Sequence, residues 1–136
     1  MRRASSTPNS RNAERDGDPA DWTWAPPNVR VEKWVPHDEA LRGVAAQVCH
    51  GGTGSVLGAL AAGVPTVVVP QFADQPDNGA RVEALGAGLC VKAEDARAAV
   101  LRVLEEPSFR EAAGRVAAEI AALPEAGEVL GLVSAP

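Results

Sequence analysis

Thr66-Val67-Val68-Val69 is a nearly pure β-branched run closed on each side by a proline, Pro65 and Pro70. Branching at Cβ favours extended backbone, and proline cannot donate to a sheet ladder, so the run has sharp ends. It is apolar on both faces rather than alternating. That pattern suits the central strand of a parallel sheet with helices on both sides. A chain of 136 residues has room for one such domain.

The flanking segments supply neighbours for that strand. Val29 to Glu32 alternates apolar and polar residues and predicts a short strand. The stretch HDEALRG predicts one or two helical turns, and Ala46 to Cys49 a short buried strand. Gly51 to Gly54 forms a turn that opens a helix with Val56, Leu57, Leu60 and Ala61 on one face. Gly63 ends that helix, because glycine tolerates positive φ. Beyond Pro70, Asp74 or Asp77 is placed to cap a helix reaching about Leu85. Gly86 and Gly88 break the chain before a strand at Leu89 to Val91. Glu94 and Asp95 open the next helix and suit its dipole. After Pro107, the residues Phe109, Ala113, Val116, Ile120 and Leu123 recur at helical spacing and predict an amphipathic helix. Strands alternating with helices predict an α/β fold: a partial doubly wound, Rossmann-like parallel sheet of about four strands with flanking helices and right-handed crossovers.

Composition excludes several classes. The net charge is −5, so there is no general basic excess for gripping a nucleic-acid backbone. No stretch approaches the roughly 18 apolar residues of a membrane span. Two cysteines and two histidines make neither a disulfide scaffold nor a metal-ligand spacing. Residues 1–27 are polar and predict a disordered leader, since such a segment buries too little apolar surface to offset its ordering entropy. It has no apolar central stretch like that of a secretory signal, so a cytoplasmic location is expected. The domain is expected to span residues 28–123, followed by a tail or short helix over 124–136.

Ligands of such sheets sit in loops at the carboxyl ends of strands. Three loops here are expected to open on one rim. The first holds Trp34, Val35, Pro36 and His37; the second runs His50-Gly51-Gly52-Thr53-Gly54-Ser55; the third runs Pro70-Gln71-Phe72-Ala73-Asp74-Gln75. In the second, glycines leave backbone N–H groups uncovered at a helix start, which makes an anion site, with Thr53, Ser55 and His50 as further donors. It is neither a Walker A loop nor a G-x-G-x-x-G fingerprint, and a plain structural turn is the alternative. Trp34 offers a flat face for a nucleobase, or else is an ordinary core or edge tryptophan. Asp74 and Gln75 set an acceptor beside a donor, which suits vicinal sugar hydroxyls; a helix cap and a surface glutamine is the alternative.

Taken together, the segments NVRVEKWVPHDEAL and HGGTGSVLGALAAGVPTVVVPQFADQPDNGARVEALGAG resemble the C-terminal donor-binding domain of family 1 glycosyltransferases with the GT-B fold. The bacterial natural-product branch, which includes macrolide glycosyltransferases, is nearest in style, and the resemblance covers Asn28 to Leu123. It implies that Trp34 stacks on the base and that Val35 offers its backbone to the base edge. It implies that His50 binds the diphosphate, that Gly52, Thr53, Gly54 and Ser55 surround the phosphates, and that Asp74 and Gln75 hold the sugar. The implied reaction is inverting transfer of a hexose from a UDP- or TDP-type donor to a hydroxyl of a small acceptor, without metal or other cofactor. The sequence departs from the family pattern at two positions: His37 stands where glutamine is usual, and Gly58 where many members have glutamate for the ribose.

The resemblance also implies an N-terminal acceptor domain with the general base, and a first strand and glycine loop, none of which is matched here. The chain is therefore expected to be an incomplete donor domain with no catalytic base of its own, and to associate with itself or a partner domain through an uncovered sheet edge. A non-catalytic nucleotide-sugar-binding or auxiliary subunit, and an unrelated doubly wound domain holding another phosphate, are the competing readings.

Overall fold

The computed structural model describes residues 23–133. The chain divides into two units, Met1–Pro36 and His37–Pro136. The predicted leader lies mostly outside the described residues. In the first unit the described chain is turns and irregular backbone, with Val29 N–H donating to the Pro26 carbonyl at 2.9 Å. Val29 to Glu32 is not a strand, contrary to the alternation in its sequence. Alternation is necessary for a half-buried strand but does not supply a ladder partner, and Arg30 pairs instead with Glu32 on one exposed side.

The second unit runs α1 (His37–Ala40), β1 (Gln47–Cys49), α2 (Thr53–Ala61), β2 (Thr66–Val68), α3 (Gln75–Ala84), β3 (Gly88–Cys90), a 3₁₀ turn (Ala93–Asp95), α4 (Ala96–Glu105), α5 (Pro107–Ala121) and α6 (Ala126–Val133). The sheet is parallel, in the order β1-β2-β3, so three strands form among the described residues where about four were expected. The β-branched run is the middle strand, with Thr66, Val67 and Val68 fully buried.

Alternate residues of β2 feed two cores. Val68 packs with Val56, Leu60, Val82 and Ala113 under α2, α3 and α5, and Cys49 and Cys90 flank it in register. Val67 packs with Ala99, Val103 and Phe109 under α4 and the start of α5. Each fully buried valine contributes about 1.5–3 kcal/mol. Gly63 ends α2 at φ +67, as its position predicted.

Three details differ from the sequence expectation. Strand β1 is not buried throughout: Val48 is 53% exposed, because β1 is an edge strand and α4 packs against β2 and β3 instead. On α2 the buried set is Val56, Ala59 and Leu60, while Leu57 and Ala61 face solvent. On α5 the stripe stops at Ile120; Leu123 lies past the helix end and is exposed. The other sheet edge is partly covered, since Glu83 Oε1 accepts the Cys90 N–H at 2.9 Å.

Close approach of backbone to backbone sets one strict requirement. A Cβ on Gly88 would run into the Thr66 carbonyl of the neighbouring strand. Gly88→Ala should therefore lower stability by about 3 kcal/mol or more, read as a lower urea midpoint, whereas Gly114→Ala, facing open space on α5, should be neutral or stabilising.

Candidate functional site

The loops after β1 and β2 leave adjacent parallel strands at their carboxyl ends and meet on one rim. The loop containing Trp34 does not follow a strand, so the expected third member of the rim is not built that way. Trp34 is 78% exposed and Val35 is also exposed, both in the first unit.

The loop after β1 turns through Gly51, at φ +93 and buried. A Cβ there would lie 2.7 Å from Val68 Cγ1 and 3.0 Å from the Gln75 carbonyl. Gly52 is the N-cap of α2, with no side chain bonded to the helix start. The first α2 hydrogen bond is Val56 N–H to the Gly52 carbonyl at 3.0 Å. The N–H groups of Thr53, Gly54 and Ser55 precede it and point along the helix axis toward the rim, at the positive end of the dipole. His50 is exposed, and its ring folds over Gly52, with Nε2 2.6 Å from where a Cβ on that glycine would be. A side chain at position 52 would push the imidazole off the amides.

The loop after β2 is held by Gln75. Its Oε1 accepts from Gln71 N–H at 2.8 Å and Phe72 N–H at 3.1 Å, and the residue is 4% exposed. Of the Gln75 side chain, expected beside Asp74 as a donor to hydroxyls, the carbonyl oxygen is thus taken up inside the loop, where it accepts two part-buried N–H groups. Ala73 sits at φ 58, the only non-glycine residue in that region among the described residues. Phe72, 71% exposed, stands on the same loop.

Asp74 occupies the N-cap position of α3 without capping it. Its Oδ2 instead accepts from Thr53 Oγ1 at 3.1 Å and Asn78 Nδ2 at 3.0 Å. The Asn78 amide also donates to the Gly51 carbonyl at 3.0 Å. These bonds join the two loops. The donors of Asn78 first, then the local backbone and Thr53, hold the Asp74 carboxyl below the usual range, and His50 adds a smaller pull the same way. Asn78 was not singled out from sequence; its signal is spacing, since residues four apart on a helix share a face.

The two unusual positions, 37 and 58, are neighbours. His37 lies against α2, with Nδ1 2.6 Å from where a Cβ on Gly58 would sit. Its ring fills the space that a side chain at 58 would need. Together with Asp38, Leu41, Ala61 and Ala62 they line a cavity of about 480 Å³. Among the described residues no three His, Cys, Asp or Glu side chains are grouped to hold a metal ion, and no helix is long and apolar enough to cross a membrane.

The erythromycin biosynthesis protein CIII-like C-terminal domain matches residues 15–135. The chain belongs to that family. Elloramycin glycosyltransferase ElmGT of Streptomyces olivaceus is 44% identical over 104 residues, covering 76% of this chain and 27% of the relative. Spinosyn rhamnosyltransferase SpnG, solved with thymidine diphosphate, superposes with a TM-score of 0.76 at 31% identity, over 85% of this chain and 33% of that one. Glycosyltransferase VinC, solved with dTDP, gives 0.75 at 35% identity, over 82% and 30%. The chain therefore has the C-terminal domain of a GT-B glycosyltransferase, and it spans about a third or less of the length of these relatives.

Two outcomes follow from the packing around this site. Gly51→Ala should destabilise strongly, by about 3 kcal/mol or more, since its neighbours are backbone and a buried valine; Gly58→Ala should cost under about 1 kcal/mol, because the exposed His37 ring can swing away. Chemical denaturation of both variants checks this. The Asp74 carboxyl titrates lower folded than unfolded, so its contribution is complete above the unfolded value and is lost as pH falls through the folded one. The stability difference between the parent and Asp74→Asn should accordingly close at low pH and stay constant above the ordinary carboxylate range.

Proposed function

We propose that this chain is the donor-binding part of a natural-product glycosyltransferase, taking a UDP- or TDP-type sugar for inverting transfer to a hydroxyl of a small acceptor. The observation that carries this reading is the row of unbonded amides at Thr53, Gly54 and Ser55 beside His50, in a family whose relatives SpnG and VinC were solved with TDP. The rim has an uncharged cradle for the phosphates, one titratable ring beside it and a carboxylate next to that.

In this reading the diphosphate lies on the α2 amides with His50 donating to a phosphate oxygen. The free Oδ1 of Asp74 accepts a sugar hydroxyl. Trp34, Val35 and His37 serve the nucleoside, in the roles the resemblance implies. The acceptor oxygen bonds to the anomeric carbon as the bond to the β-phosphate oxygen breaks. The electron pair leaves on the diphosphate, where preorganised N–H donors stabilise the growing charge without a metal. The proton passes to a base outside the donor half. The outer edge of β1, which pairs with no second strand among the described residues, supports the accompanying reading that a partner surface continues the sheet.

Calorimetric titration with TDP, TDP-glucose and thymidine tests the proposal. His50→Ala should weaken TDP binding about 10-fold or more while leaving thymidine nearly unchanged, as expected for loss of a charge-assisted hydrogen bond. Equal losses for the two ligands would refute the phosphate role, and no binding of any of them to the parent chain would end the donor-site reading.

A further inference from the structure

We infer that Asn78 is the positioning residue of this site: its amide locks the Asp74 carboxylate and the Gly51–Thr53 turn into one unit, so that the sugar-facing and phosphate-facing parts of the rim move together. The inference rests on the donor-site reading above for its ligand, and on hydrogen-bond geometry alone for its mechanics.

The donor and acceptor count makes the argument. An amide nitrogen has two protons. The two shortest contacts of Asn78 Nδ2 are 3.0 Å, to the Gly51 carbonyl and to Asp74 Oδ2. Its third neighbour, Thr53 Oγ1 at 3.3 Å, sends its own proton to the same Asp74 oxygen at 3.1 Å. Oδ2 is thereby filled by two donors, one from each neighbouring element. The carboxylate cannot rotate without breaking both, and Oδ1 is the oxygen left to face a ligand.

The other half of the lock is the Gly51 carbonyl. Gly51 is buried against Val68 and the Gln75 backbone, so the turn is already confined on one side. Asn78 confines it on the other and links it to α3. No other side chain among the described residues joins the loop after β1 to both that loop's partner carboxylate and its own backbone. The α3 helix thus bears on the turn before the α2 amide cradle through the Asn78 side chain as well as through the Gln75 backbone. Behind the lock, Thr53 and Asn78 close the end of a mostly apolar cavity of about 300 Å³ between α2 and α3 that also includes Leu57 and Leu85. Arg81 lines the same cavity from α3.

The test uses the intact chain and two variants, Asn78→Ala and the isosteric Asn78→Asp, which lacks the amide donors at neutral pH. The first readout needs no ligand. Asp74 is followed by carboxyl-carbon NMR through its titration, with His50, the imidazole on the facing loop, kept in all forms. Both variants should raise the Asp74 midpoint. The second readout is calorimetry with TDP-glucose and TDP, in the parent and in an Asp74→Ala background. Asn78→Ala should weaken TDP-glucose about 10-fold and TDP by less, and in the Asp74→Ala background its added effect on TDP-glucose should shrink to about twofold, the signature of residues acting as one unit. An unchanged Asp74 midpoint in both variants, or effects that simply add, overturns the assignment. If the parent chain binds neither ligand, the donor-site reading fails, and the carboxyl titration still decides whether Asn78 holds Asp74.

Discussion

The pairing of β2 between two parallel neighbours governs the rest of the molecule. Gln47, Thr66 and Gly88 stand level across the sheet, as do Cys49, Val68 and Cys90. With those registers set, the chain leaves β1 and β2 at the same height and on the same side. The His50–Ser55 loop and the Gln71–Asp74 loop then start side by side, close enough for the Thr53–Asp74 hydrogen bond to join them. A slip of one residue in either pairing would turn Val67 and Val68 to the wrong cores and separate the loops. The glycine at 88 protects that register, since any side chain there would collide with β2.

On this frame the rim is assembled from groups of limited reach. One part is backbone, at a turn where glycine at position 51 holds a positive φ. The other is the Asp74 carboxylate, held by two donors. Gln75 accepts two N–H groups of the loop that leads to Asp74, in which Ala73 is held in a left-handed conformation. Such strain, of order 1 kcal/mol, persists only where surrounding bonds over-determine it. The glutamine's two accepted N–H bonds are such a constraint.

The pair at positions 37 and 58 shows how substitutions that look independent along a chain become one event in space. A histidine and a glycine stand 21 positions apart in the sequence, and the ring of one fills the volume vacated by the other. A side chain at 58 would have to displace the imidazole, so the two positions are sterically linked.

Local chemistry was enough to read the middle strand, the glycine-opened helix before it, the helices punctuated by glycine and proline, and the loops that carry His50 and Asp74. Those features depend on propensity and period, which neighbouring residues decide among themselves. The family, too, was legible from HGGTGS and the spacing to Asp74-Gln75. What required the folded molecule was every question of partnership. Val29 to Glu32 alternates like a strand yet has no ladder, Val48 is exposed because α4 lies over other strands, and Gln75 is turned inward to satisfy two N–H groups. Asn78 drew no notice in the chain and became the link between two loops once α3 was laid beside α2. Periodicity states which way a side chain faces, but only packing states what it meets there.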